Sequence, residues 1–245
     1  MAQQLNEGDF GPSELGTKVY WDRVYDRENA NFEDHGDIGE VWFGEDSVEK
    51  MIDWVSIMMC GITPVNCTIP DRTSSILDLG CGNGHLLLEL ATLSYTDLTG
   101  IDYSPLAVQL AISIAQGRDL AHIWYETVDF LADLEGVWSK GKRFDVVLDK
   151  GTYDAICLNP MQTAAQARGE RGPVDRYSEA VKTLIKGENG WLLLTSCNWT
   201  REELVEKMKD GGSFLHSYHS LPLHSQNICS FRPDLINVAL PTPRI

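Results

Sequence analysis

The run Ser74-Ser-Ile-Leu-Asp-Leu-Gly-Cys-Gly-Asn-Gly84, followed by the apolar segment His85-Leu-Leu-Leu-Glu-Leu-Ala-Thr-Leu93, sets the class of the fold. Ser74 to Gly80 reads as a short buried strand, because the apolar run is too brief for a helix and ends on glycine. Glycines at 80, 82 and 84 let the backbone turn tightly and approach a ligand with no Cβ in the way. The helix beyond them offers free N–H groups at its start. Strand, glycine turn and helix in that order open a parallel α/β unit.

Outward from this unit the alternation continues. Leu98 to Tyr103 reads as a second strand, and Ser104-Pro105 opens a helix with an N-cap and a first-turn proline. His122 to Asp129 and Phe144 to Asp149 read as strands three and four. A helix over 175–186, a strand over Trp191–Ser196 and a helix over 200–210 follow, with Thr200-Arg-Glu-Glu203 as a capping box. Phe214–Leu221 and Ile236–Leu240 are the candidate last strands, while Met161–Pro173 reads as a loop. The pattern predicts a doubly wound parallel sheet with helices on both faces. On the N-terminal side, residues 1–12 read as a tail and Ser13–Ala30 as a helix with Trp21 and Tyr25 on one face. Asn31–Glu45 reads as an acidic, Gly-rich loop carrying Trp42-Phe43, and 46–60 as a second helix. Two parts are expected: a helical extension over 1–73 and a catalytic domain over 74–245, forming one structural unit.

The chain has 245 residues and a net charge of −16, which suits one α/β domain with an extension and argues against nucleic acid as a partner. A basic protein or a cationic substrate is the better electrostatic match. Residues 22–49 hold ten acidic and two basic side chains, half the net charge. The N-terminus lacks the basic and apolar regions of a signal peptide, and no apolar run approaches a membrane span. Six cysteines (60, 67, 81, 157, 197 and 229) form no C-x-x-C pair, so a reducing cytoplasmic location is expected, with the nucleus as a second compartment. A monomer is expected.

Asp102 ends the second strand, where a carboxylate can accept both ribose hydroxyls of an adenosine. A dinucleotide loop would need glycine at 85, which is His85, and Asp78 would repel a pyrophosphate. The same carboxylate suits a ligand with a sulfonium and an α-ammonium, so S-adenosylmethionine fits better than NAD. Asp129-Phe130 would supply an acceptor and a ring for the adenine. Asp149, at the end of the fourth strand, is placed to face the methyl group; the competing reading is a structural Asp capping the turn through Gly151-Thr152. No Pro-Pro turn stands here, which weighs against adenine or glutamine as acceptor. A lysine amine suits the site, with Asp149 orienting it first and acting as a base second; about 0.1% of a free lysine is neutral at about pH 7.4. His216, His219, His224 and Cys229 fit no zinc spacing, so no metal is expected, and Ser196-Cys197 lacks the glycines of a nucleophile elbow. A small-molecule N- or O-methyltransferase and a catalytically silent, methyltransferase-like binding module remain as alternatives.

The run DKGTYDAICLNP (149–160), with TSCNWTREEL (195–204), ELGTKVYWDRVYDRE (14–28) and GDIGEVWFGE (36–45), resembles the protein-lysine methyltransferases that act on translation elongation factor 1-alpha. The resemblance covers about residues 11–210, and Ser213–Ile245 departs from it, with Pro241 and Pro243 set to end the last strand early. It implies a Rossmann-like seven-stranded sheet, mostly parallel with an antiparallel last strand. It implies a cofactor site of Trp21, Tyr25 and Trp42 as a cover, with Asp78, Gly80, Gly82, Gly84, Asp102, Tyr103, Asp129, Phe130 and Lys150 around it. Asp149 and Tyr153 become the catalytic candidates, and elongation factor 1-alpha the protein partner. Without the resemblance, Trp21 and Tyr25 would equally make an amphipathic core face, and Lys150 a solvated lysine at a strand end.

Overall fold

The computed structural model describes residues 11–57, 71–133, 136–187, 190–210, 216–222 and 227–232. Five parallel strands form its centre: β1 (Ile76–Leu79), β2 (Leu98–Asp102), β3 (Trp124–Thr127), β4 (Val146–Lys150) and β5 (Trp191–Ser196). Two more strands, β6 (His216–Pro222) and β7 (Asn227–Arg232), extend one edge, and β7 runs antiparallel to both β5 and β6. The spatial order is β3-β2-β1-β4-β5-β7-β6. The chain therefore winds outward from β1 to β3, then returns to lay β4 on the other side of β1. Ligands of such sheets sit at the carboxyl ends of the strands at this reversal.

Strand alternation divides the core. Ile76, Val146 and Leu148 join a cluster with α3 (His85–Thr92) and α4 (Pro105–Gly117). Helices α1 (Lys18–His35) and α2 (Glu45–Ile57) pack into the same cluster through Tyr25, Met51 and Trp54. Leu77, Leu79 and Val147 point the other way, onto α5 (Thr152–Cys157), α7 (Pro173–Leu184) and α8 (Arg201–Asp210), with α6 (Pro160–Arg168) beside α7.

Several expectations change. The last strand among the described residues is Asn227–Arg232, which was not expected; the expected strand over Ile236–Leu240 lies outside the described residues. Only four residues separate β6 from β7, a spacing that favours an antiparallel pair. Helix α1 runs past Ala30 to His35 and stops at Gly36, whose left-handed φ of 71° closes the helix. Residues 160–168, read as loop, are helical: the Asn159 side chain accepts from the Met161 N–H, Pro160 takes the first turn and Gly169 ends it. The Ser104 hydroxyl donates to Asp22 at 2.7 Å instead of capping its own helix. The Thr200/Glu203 capping box forms as read, with Thr200 N donating to Glu203 at 2.8 Å and Glu203 N to Thr200 Oγ1 at 3.3 Å. Among the described residues no helix is long and apolar enough to cross a membrane, and no cluster of metal-ligating side chains occurs.

Candidate active site

The turn after β1 is left-handed at Gly80, Gly82 and Gly84, with φ of 63°, 54° and 76°. Each glycine also meets a side chain from another element. A Cβ at Gly80 would collide with Thr152 Oγ1, while one at Gly82 or Gly84 would come within 2.5 Å of the Tyr25 or Tyr125 hydroxyl. The glycines thus serve packing as well as any ligand. Asn83 ties the turn to the N-terminal segment by donating to the Ile38 carbonyl at 3.0 Å, and His85 Nε2 lies 3.0 Å from Glu45 of α2.

Asp102 lies at the end of β2 and accepts from Gly82 N at 3.1 Å and Ser104 N at 2.8 Å, one on each oxygen. That leaves acceptor capacity on a rigidly held carboxylate. Burial pushes its pKa up to about 6 despite these bonds. Asp78 is more unusual. It is buried, and among the described residues its carboxylate accepts no hydrogen bond. Burial lifts it to about 7, the Lys150 ammonium opposes this, and Asp149 and Asp102 add to it. Ionising a carboxylate in such surroundings is costly, and a cationic ligand offsets that cost.

Trp21, Tyr25 and Trp42 do come together. Trp21 stacks on Tyr25 with centroids 6.1 Å apart and meets Trp42 edge-on at 4.9 Å. The Trp21 indole N–H donates to the Leu15 carbonyl at 2.7 Å, which orients the ring. Lys150 is not a solvated strand-end lysine: its ammonium donates to the Trp42 carbonyl at 2.7 Å, and burial lowers its pKa. Tyr103 is half-buried, with the Lys18 ammonium 5.9 Å over its ring. Asp129 is exposed and accepts from Leu131 N at 3.1 Å, and Phe130 meets Tyr177 edge-on at 6.0 Å.

Alternation sends Asp149 with Val147 to the other side of the sheet from Asp78 and Lys150. It is fully buried, and its oxygens accept from Thr152 N at 2.8 Å, Tyr153 N at 3.1 Å and the Tyr177 hydroxyl at 2.6 Å. The bonds from Thr152 N and Tyr153 N are those of the competing reading, an Asp capping the turn through Gly151-Thr152. Tyr153 is likewise buried, 4.6 Å from Tyr177 between ring centroids. The sequence reading missed what its neighbour does. Asp154 accepts from the Ser196 hydroxyl at 2.6 Å, from Cys197 N at 2.8 Å and from Asn198 N at 3.3 Å, clamping the exit of β5. This clamp leaves Asn198 half-buried just beyond the carboxyl end of β5, with a neutral amide side chain.

Residues 70–231 match the family described as "Methyltransferase domain". EEF1A lysine methyltransferase 2 of Homo sapiens is 40% identical over 209 residues, covering 85% of this chain and 79% of the relative. Protein-lysine N-methyltransferase efm4 of Schizosaccharomyces pombe is 37% identical over 219 residues, covering 86% and 87%. Among solved structures, the N-methyltransferase NodS of Bradyrhizobium japonicum in complex with S-adenosyl-L-homocysteine has a TM-score of 0.56 at 16% identity, covering 87% of this chain and 98% of that one. The [4+2]-cyclase SpnF has a TM-score of 0.61 at 14% identity, covering 92% and 98%. A methyltransferase and a cyclase on one architecture show that the fold alone does not set the chemistry.

Proposed function

The chain belongs to the EEF1A lysine methyltransferase family and is an S-adenosylmethionine-dependent protein-lysine methyltransferase, and we propose that its substrate is a lysine on elongation factor 1-alpha. The observation that carries the site is Asp78: a buried carboxylate with no hydrogen-bond partner among the described residues, beside a left-handed glycine turn and on the same sheet face as Lys150. Such a group fits the α-ammonium of S-adenosylmethionine. When bound, the cofactor supplies an electrophilic methyl group on its sulfonium.

The chain's own residues have distinct tasks in this reading. Asp102 accepts the ribose hydroxyls, already oriented by Gly82 N and Ser104 N. Asp129 accepts from the adenine amine, with Phe130 against the ring. Trp21, Tyr25 and Trp42 cover the site and exclude water, which strengthens its electrostatics. Asp149 is a positioning residue, because it holds the start of α5 and the Tyr177 hydroxyl. Positioning of amine and methyl supplies much of the rate.

The acidic residues of 22–49 favour a basic protein surface as partner. Incubation with labelled cofactor and purified elongation factor 1-alpha tests the reading. Label is expected in one lysine of the factor. No label there, from a preparation that methylates another protein or a small amine, would reject the substrate.

A further inference from the structure

We propose that Lys150 is a positioning residue that latches the Trp42–Phe43 turn across the carboxyl end of β4 and supplies the counter-charge that keeps Asp78 ready for a cationic ligand. The second half rests on the reading of Asp78 given above; the first does not.

The latch is visible in the geometry. Lys150 donates to the Trp42 carbonyl at 2.7 Å, across 108 positions of sequence. Phe43 has a φ of 70°, a left-handed conformation that a bulky residue keeps only when its surroundings hold it. Its ring sits over Gly151, where any Cβ would collide with it. The Ser47 hydroxyl donates to the Phe43 carbonyl at 2.6 Å, and Gly44 N donates to the Val41 carbonyl at 2.9 Å. Three contacts therefore fix one strained turn: an ammonium from β4, a glycine after β4 and a hydroxyl from α2. Trp42, which meets Trp21 in the cover, is carried on it.

The charge argument uses the same lysine. Lys150 follows Val146 and Leu148 on the sheet face of Asp78. The groups acting on Asp78 are Lys150 and Asp149 from β4 and Asp102 from β2, with Cys81 and Tyr125 as further neighbours. Of these only Lys150 is cationic. Glu45 of α2 acts on Lys150 in turn. Removing the ammonium would leave Asp78 surrounded by burial and like charge, so it would stay protonated to higher pH.

The test compares the unaltered protein with Lys150→Met and Lys150→Arg. Without cofactor, hydrogen exchange at the Gly44 and Ser47 amides should quicken at least about tenfold in the Met variant and return toward the original rate in the Arg variant. S-adenosylmethionine binding, measured by calorimetry from about pH 6 to about pH 8.5, should weaken about tenfold in the Met variant near pH 6 and about fivefold near pH 7, the effect of about one pKa unit at Asp78. The ratio of the two affinities should shrink as pH rises, because Asp78 then ionises without help. Should Lys150→Met not fold, Lys150→Gln keeps a donor, drops the charge and gives the same pH test. Unchanged exchange overturns the latch. An affinity ratio that is equal at every pH overturns the counter-charge. Failure of the unaltered protein to bind S-adenosylmethionine would instead reject the cofactor reading, with the exchange result still deciding the latch.

Discussion

Replacing Asp149 by Asn separates a positioning carboxylate from one that meets substrate. Asp149 is fully buried, and burial lifts it from an ordinary 3.8 to about 7 against the pull of Tyr177, Tyr153 and Thr152. In the unfolded chain it ionises at its ordinary value. The folded protein therefore binds the extra proton between those two values, and stability falls as pH rises through that window. A shift of about three units corresponds to ~4 kcal/mol, at about 1.4 kcal/mol per unit. In Asp149→Asn the amide side chain would stay neutral, keep an oxygen for the Thr152 and Tyr153 amides, and let the Tyr177 hydroxyl turn to accept. The stability of this variant relative to the original should rise by ~4 kcal/mol between about pH 4 and about pH 7.5, or roughly 8–16 °C in Tm for a chain of this size. Urea or thermal unfolding across that range measures it. Turnover at pH 8 should stay within about tenfold of the original, short of the 10²–10⁴-fold typical of a lost acid–base group. A stability difference that is flat with pH, together with a loss of turnover beyond about a thousandfold, would contradict this account and return Asp149 to the substrate side.

Asp102→Ala removes the acceptor of Gly82 N and Ser104 N and the proposed ribose partner; calorimetry should show at least about a hundredfold weaker S-adenosylmethionine binding. Gly82→Ala places a Cβ 2.5 Å from the Tyr25 hydroxyl at a φ of 54°, so thermal unfolding should report a loss of about 2 kcal/mol or more, and cofactor binding should fall with it. Raising salt should increase the KM for the protein substrate several-fold more than the KM for the cofactor, because the acidic rim is screened; equal responses would reduce the charge to a solubility feature.

The order of strands and helices, the glycine turn and the ligand-end aspartates were legible in the residues alone, because these depend on local periodicity and on residue types that only certain backbones tolerate. Asp78 and Asp102 belong to that legible part, since their positions follow from lying at the ends of β1 and β2 beside the turn. Helix α6 was misread as loop from its polar composition, although the Asn159-Pro160 start and the Gly169 stop carry its signal. Asp149 could have been placed by alternation alone, since Val147 and Asp149 share one side of β4 and Val146, Leu148 and Lys150 the other. What covers each side depends on which helices pack there, and that is a matter of tertiary packing. Packing put Tyr177, 28 residues along the chain, on Asp149 and the Trp42 carbonyl, 108 residues back, on Lys150. Two neighbouring side chains at the end of one strand thus acquired different partners: the acid accepts from the start of α5 and from Tyr177, and the base donates to the Trp42 carbonyl. A buried charge takes its meaning from its partners, and these partners are distant in sequence and adjacent only once the sheet has formed.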